Sequence, residues 1–295
     1  MNEVLGHEEA QRLLAKARPQ VALITGPEGV GRRTLGRWYA YGLNCERGFP
    51  PCGSCKSCRL APHPDLLEIR PDPGRRPLIP VERIVPREGG GENLLEWLEA
   101  APRFSAKVAI IDGAEHLTEA AANAMLKLLE EPPRHAHVVL VAPSPESVLP
   151  TIRSRAFWIP LAPLPEETLR RLDDDPDFLA FAEGAPGRLL WAIEHPEEVR
   201  ELRKLVEGFL YELGDGRAAL ERARELLRRA EAGLSPWPFF RRAFEKLPAD
   251  ARTEALEALS RLEEAHRAYV GRELLAAWWV HTMRSIYGAQ RTGSL

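Results

Sequence analysis

All four cysteines of the chain lie in one short window. They are Cys45, Cys52, Cys55 and Cys58, with the spacing C-x6-C-x2-C-x2-C. Gaps this short let consecutive thiolates converge on one ion, and four thiolates at about 2.3 Å form the closed tetrahedral shell of a structural Zn2+ site. A pair of disulfides or four unrelated core thiols are the alternatives, but adjacent C-x2-C steps fit a metal knuckle better than a disulfide framework. The pattern predicts a structural zinc that holds a loop and does no catalysis, because no coordination position stays open.

A second segment has the outline of a phosphate-binding loop. It reads GPEGVGRRT from Gly26 to Thr34 and stands between an apolar run and a helix predicted from Thr34 to Leu43. In that setting, glycines such as Gly26 and Gly31 let backbone N–H groups cradle phosphates. A working loop adds a lysine for the phosphates and a hydroxyl for Mg2+, but these positions hold Arg32 and Arg33. Arginine does not replace lysine at a tight site, and Thr34 lies about 100° further around the helix.

The clearest strand pattern, Val108–Asp112, ends in an acid. In ATPases of this layout an acid here coordinates Mg2+, and in many the next residue is a glutamate that activates water. Asp112 is retained, but Gly113 follows it, and we expect Glu115 to be a surface acid. Loss of groups that act together leaves little catalysis. The sequence favours a pocket without ATP turnover, and nucleotide binding without hydrolysis stays open.

Alternating strand and helix patterns predict an α/β fold with a mostly parallel, covered sheet up to Pro160. Beyond Pro160 the sequence has helical periods and no strand run. We therefore predict a P-loop-type core at 1–160 that contains the knuckle 45–58, a small helical unit at 161–196 and an all-α domain at 197–295. Within the core, the proline-rich stretch Pro71–Pro86 is expected to be a loop, and Gly89–Gly91 a flexible break.

Composition narrows the classes of protein to which the chain can belong. A net charge of −3 over 295 residues argues against a whole-chain polyanion binder. The start of the chain has no basic and apolar segment typical of a secretion signal, and its apolar runs are too short to cross a bilayer. Cysteines that bind metal as free thiols, in a chain with no secretion signal, predict a cytoplasmic location. Few Asn and Gln beside many Arg, Glu and Pro favour a thermophilic source, although high genomic GC content is an alternative.

Four further sequence motifs indicate the family to which the chain is similar. They are His63-Pro64-Asp65, Ile111–Glu115, Ala120–Pro133 (AAANAMLKLLEEPP) and Thr151–Arg155 (TIRSR). Together with the cysteine knuckle and the glycine loop, they resemble the delta-prime subunits of bacterial DNA polymerase III clamp loaders, within the AAA+ superfamily. The resemblance covers roughly residues 5–190, and the helical remainder is similar only in size and character.

The resemblance implies an AAA+ core with a zinc knuckle, a small helical lid and a C-terminal helical collar that closes a five-subunit ring. It implies a non-catalytic stator that works with ATP-hydrolysing gamma/tau subunits and a delta subunit to load the sliding clamp on primer–template DNA. By the same resemblance Arg155, with Ser154 beside it, is an arginine finger for the neighbouring ATP site. Ala156 departs from the family element, where Cys is usual. Arg188 falls near the lid sensor position and is expected to be structural or interfacial.

Two other functions stay open at this point. A self-sufficient AAA+ ATPase of the gamma/tau kind would use Arg32 in place of the lysine. A stand-alone nucleic-acid module would use the knuckle and the arginine-rich loop Arg70–Arg87. Acidic residues interleave with those arginines, which favours a solvated loop.

Overall fold

The computed structural model describes residues 4–72, 77–86 and 93–292. The chain divides into two compact units, Met1–Thr168 and Leu169–Leu295. The division into three domains, with boundaries after 160 and 196, stays a prediction. The predicted break Gly89–Gly91, and residues 73–76 of the predicted loop, lie outside the described residues.

The first unit is built on five parallel strands in the order β2-β3-β4-β1-β5. The strands are β1 (Val21–Thr25), β2 (Leu66–Ile69), β3 (Lys107–Asp112), β4 (Ala136–Ala142) and β5 (Phe157–Pro160). Every residue of β1 and β4 is buried, as the mainly apolar strands in the middle of a parallel sheet require. The predicted α/β fold with a parallel sheet is confirmed, and the carboxyl ends of its strands meet at one edge.

Helices cover both faces of this sheet. They are α1 (Glu8–Ala17), α2 (Arg32–Asn44), α3 (Leu94–Glu99), α4 (Glu119–Glu130) and the single turn α5 (Pro150–Arg153). One face packs α1 and α2 through Leu14 and Leu35, and the other packs α3 and α4 through Leu98 and Met125. The Thr118 hydroxyl accepts from the Ala121 N–H at 3.2 Å and caps α4, which fixes where this helix begins after β3.

The second unit is helical throughout its described residues. After the short α6 (Glu166–Leu169) at the junction come α7 (Pro176–Ala182), α8 (Pro186–Glu194), α9 (Pro196–Tyr211), α10 (Gly216–Glu231), α11 (Trp237–Phe244), α12 (Ala249–Arg267) and α13 (Arg272–Thr292). Aromatic side chains form its centre, with Phe209 stacked on Trp279 and Phe240 edge-on to both. None of the described helices is long and apolar enough to cross a membrane.

Candidate metal centre and phosphate-binding loop

The four cysteine sulfurs converge after the end of α2. All four Sγ atoms of Cys45, Cys52, Cys55 and Cys58 lie within 4.8 Å of one another, and the sulfurs of Cys45 and Cys55 are 4.0 Å apart. A tetrahedron with metal–sulfur bonds of about 2.3 Å has sulfur–sulfur edges of about 3.8 Å. None of these cysteines is in a disulfide. The donor set therefore fits a four-coordinate thiophilic ion such as Zn2+.

Hydrogen bonds prepare these sulfurs to act as thiolates. The backbone N–H groups of Cys52 and Cys55 donate to the sulfurs of Cys45 and Cys52 at 3.4 and 3.3 Å. Donation from the Ser54 hydroxyl lowers the pKa of Cys52 to about 5, and the N–H of Cys58 lowers the pKa of Cys55. Burial raises the pKa of Cys58 to about 12, so this thiol needs a cation beside it to ionise.

Asn44 anchors the beginning of the cysteine loop. Its side chain is buried and makes hydrogen bonds with its amide nitrogen and its oxygen. Nδ2 donates to the carbonyls of Ala40 and Ala106 at 3.1 and 3.0 Å. Oδ1 accepts from the N–H groups of Ser105 and Ala106 at 3.0 and 2.9 Å. This role was missed in the sequence, where the only signal is a polar residue beside the first cysteine.

His63 and Asp65 anchor the end of the same loop. The Asp65 carboxylate accepts from the N–H groups of Arg103 and Phe104 at 2.9 and 2.8 Å. The Asp65 N–H donates to Nδ1 of His63 at 3.1 Å, so the ring proton is on Nε2, which donates to the Ser57 hydroxyl at 2.9 Å. Burial lowers the pKa of His63, which keeps the ring neutral. The His63-Pro64-Asp65 motif thus connects the knuckle to the segment 103–104.

The glycine loop between β1 and α2 contains glycines with positive φ angles. Gly26 has a φ of 151°, and a Cβ on it would lie 2.4 Å from the carbonyl oxygen of Leu161. Gly31 has a φ of 109° and caps α2. Both positions favour glycine, because L side chains rarely adopt such φ values. The helix begins at Arg32, two residues before the predicted Thr34, so both arginines lie in its first turn.

Arg33 reaches across the end of the sheet to Asp112. Its Nη1 lies 3.1 Å from the Asp112 Oδ2, and Nε of Arg70 lies 3.7 Å from the same oxygen. Arg70 and Arg37 both donate to Glu68 on β2, the first at 3.1 Å and the second at 2.8 Å through Nη2. Burial acts to raise the pKa of Glu68, but the hydrogen bonds from these two arginines outweigh it and lower the pKa. Three guanidinium groups and two carboxylates thus form one network where a nucleotide-bound metal would be expected.

A cavity of about 220 Å3 opens beside this network. Arg32, Asp112, Glu115 and His116 are among the residues that line it. Nη1 of Arg32 and Oε2 of Glu115 are buried without a hydrogen-bond partner in the described part of the chain. The expectation of a surface acid at Glu115 is wrong, since its side chain is only 22% exposed and faces the cavity.

Arg155 lies in the turn between α5 and β5, in the same unit. Its Nε donates to Oε1 of Glu130, the last residue of α4, at 2.9 Å, and Nη2 contacts the same oxygen. Nη1 donates to the carbonyl of Thr151 at 2.8 Å and to the Ser154 hydroxyl at 3.2 Å. The pairing with Glu130 was not foreseen from the sequence. Arg188 is in the second unit, where its guanidinium lies over a phenylalanine ring.

Comparison with known proteins identifies a family and several relatives that are similar to the first unit. A family model described as "DNA polymerase III, delta subunit" matches residues 7–165. The chain is 34% identical over 204 residues to DNA polymerase III subunit delta' of Pseudomonas aeruginosa, which covers 63% of this chain and 59% of that protein. It is 35% identical over 183 residues to DNA polymerase III subunit gamma/tau of Mycobacterium tuberculosis, which covers 58% of this chain and 30% of that protein. The chain therefore spans less than two thirds of the length of these relatives.

Among solved structures, a DNA polymerase III gamma subunit-related protein from Thermotoga maritima has a TM-score of 0.53 at 21% identity. The similarity covers 96% of this chain and 99% of that chain. At this level of identity the likeness concerns the fold alone.

Proposed function

The chain belongs to the DNA polymerase III, delta subunit, family, and from this membership we propose that it is a non-catalytic subunit of a clamp loader. Its partners would be ATP-hydrolysing gamma/tau subunits and a delta subunit in a five-subunit ring. Through that ring it would act on a sliding clamp and on primed DNA, in the cytoplasm. Its own contributions would be an arginine finger, Arg155 with Ser154, and a core stabilised by a structural Zn2+ on the four cysteines.

The observation that carries the non-catalytic role is the contact between Arg33 and Asp112. A working pocket holds Mg2+ between a strand-end acid and a hydroxyl in the first turn of the helix. Here the acid is 3.1 Å from a guanidinium that stands in the hydroxyl's position. A divalent cation at Asp112 would have to displace Arg33 and would still face Arg70 at 3.7 Å from the carboxylate. Like charges at such distances repel, which disfavours Mg2+–triphosphate at this site.

The surroundings of Arg155 support its use by another subunit. The Arg155 and Glu130 side chains are 33% and 50% exposed, and exposed ion pairs contribute about 0–1 kcal/mol. Arginine–phosphate hydrogen bonds are charge-assisted on both sides and are among the strong ones. A phosphate from a neighbouring ATP site could therefore replace Glu130 at little cost. A finger supplied in trans raises turnover by about 10³–10⁵-fold.

The test is reconstitution of the complex with its gamma/tau and delta subunits, followed by measurement of clamp- and DNA-stimulated ATPase. We expect Arg155→Ala to lower the rate by well over about tenfold while gel filtration shows an intact complex. Arg153→Ala is the matched control, because Arg153 is exposed on the same turn two positions earlier. It should leave the rate within about twofold of the wild type, as expected for an exposed charge that takes no part in catalysis. An unchanged rate for Arg155→Ala would refute the finger.

A second candidate is a self-sufficient AAA+ ATPase. Arg32 favours it, because its side chain is among those that line the cavity and its Nη1 has no hydrogen-bond partner in the described part of the chain, which leaves a donor for an anion. Titration of the isolated chain with ATP, with and without Mg2+, separates the two functions. Mg2+-dependent binding with sustained phosphate release would replace the non-catalytic proposal.

A further inference from the structure

Both ends of the cysteine loop are fixed to one short stretch of backbone. Asn44, just before Cys45, is bound to the peptide groups of Ser105 and Ala106. Asp65, after Cys58, is bound to the N–H groups of residues 103 and 104. Asn44 and Asp65 are 3% and 1% exposed, so solvent cannot replace these bonds. The loop thus begins and ends on the segment 103–106, which leads directly into β3.

A separate hydrogen bond holds the turn between Cys55 and Cys58. Ser57 is the second of the two residues between Cys55 and Cys58, and its side chain is fully buried. It accepts the Nε2 proton of His63 at 2.9 Å. The imidazole cannot rotate freely, because Tyr41 packs edge-on against it with ring centres 5.3 Å apart. Its Nδ1 is also held by a backbone N–H at 3.1 Å.

We propose that His63 is a positioning residue for the metal centre, which sets the turn between Cys55 and Cys58 through Ser57. The inference rests on the proposed metal site. The two sulfurs can bind one ion only if the C-x2-C turn keeps its shape. That shape also places the Cys58 N–H on the sulfur of Cys55 at 3.5 Å. Groups that orient metal ligands without touching the metal typically change affinity by about 10–100-fold when they are removed.

The geometry gives each ring nitrogen a distinct task, which makes the role testable by partial replacement. Nε2 donates to Ser57, and Nδ1 accepts from the backbone of Asp65. A glutamine at position 63 can extend a donor to about the place of Nε2, whereas an asparagine can supply only an acceptor near Nδ1. If His63 positions the metal ligands through Nε2, the His63→Gln variant should keep most of the metal affinity and the His63→Asn variant should not.

The experiment uses the full chain, stripped of metal. One sample is titrated with Zn2+ against a chromophoric chelator. A separate metal-free sample is titrated with Co2+ to record the ligand-field and thiolate charge-transfer bands. We expect the wild type to bind about one equivalent, His63→Ala and His63→Asn to bind about 10–100-fold more weakly with altered Co2+ bands, and His63→Gln to stay within about threefold. His135→Ala is the matched control. Its imidazole is part-buried in the same unit and hydrogen-bonds the Leu98 carbonyl at 3.0 Å, away from the cysteines.

The outcomes separate the inference from the site on which it rests. If the wild type binds neither ion, the metal centre itself is wrong. If the wild type binds and His63→Ala matches it in affinity and spectrum, the metal centre stands and the role of His63 is refuted. Should His63→Ala fail to fold, Ser57→Ala removes the same hydrogen bond from the other side. That variant must show the same loss of affinity, and wild-type affinity in it would overturn the proposal.

Discussion

Replacement of Asn44 by alanine should destabilise the first unit by about 2–6 kcal/mol. The variant removes an amide that serves the peptide groups of Ser105 and Ala106 and the carbonyl of Ala40. Ser105 is exposed, so water can satisfy its N–H, and the Ala40 carbonyl lies within the ladder of α2. Ala106 is 4% exposed, and both its N–H and its C=O lose their Asn44 partner. Each buried polar group left unpaired costs about 1–3 kcal/mol, which gives the range.

The cost is measured by urea unfolding, with amide hydrogen exchange on peptides from β3 to assign the change to the first unit. Asn44→Asp should not restore stability, because its second carboxylate oxygen would face the carbonyls of Ala40 and Ala106 in place of a donor and would bury a charge. Asn123→Ala is the control, since Asn123 is exposed on α4 and should change stability by no more than about 0.5 kcal/mol. A cost below about 1 kcal/mol for Asn44→Ala would contradict the reasoning, because it would mean that water satisfies the Ala106 peptide groups.

Three further predictions concern the metal, the ion-pair network and pH. Cys55→Ser should abolish stoichiometric zinc in elemental analysis and lower thermal stability, and zinc retained at one equivalent would exclude this ligand set. Arg33→Ala should lower the free energy of unfolding in urea by no more than about 1 kcal/mol, because Arg33 is 43% exposed and Arg70 stays beside Asp112. A decrease of more than about 2 kcal/mol would contradict this and show that the contact is structural. Burial lowers the pKa of His137, so below about pH 6.5 the unfolded chain takes up a proton that the folded chain resists and stability falls. Unfolding at pH 7 and pH 5 should therefore show a smaller loss in His137→Gln than in the wild type, and an equal loss would contradict this origin.

The sheet could be read from the sequence because its signals are local. The run Val138–Val141 predicts a buried strand, and the structure extends it by two residues at the start and one at the end to Ala136–Ala142. The sulfur cluster was predictable for the same reason, since short gaps leave its members little freedom to separate. The start of α2 was predicted two residues late, because the glycine at its cap permits a backbone turn that periodicity does not register.

The contacts that decide the chemistry were not predictable, because they join distant parts of the chain. Arg33 and Asp112 are 79 residues apart, and Asn44 and the backbone at 106 are separated by 62. These partners meet only because the strands take the order β2-β3-β4-β1-β5, which the apolar pattern of each strand does not encode. The sequence shows that Arg33 replaces the hydroxyl residue of a working loop. It does not reveal that the Arg33 guanidinium binds the Asp112 carboxylate.

Arg33 and Arg155 make the same kind of contact, and their partners determine how each contact can be used. Asp112 is 23% exposed at the end of β3 and is within reach of a second guanidinium, so release of Arg33 would leave a half-buried carboxylate beside one cation. Glu130 is 50% exposed at the end of a helix, so solvent can take the place of Arg155. Under the proposed function, the first contact would stay closed and disfavour a metal within this chain. The second contact would exchange its carboxylate for a phosphate, as the proposed arginine finger for another subunit requires.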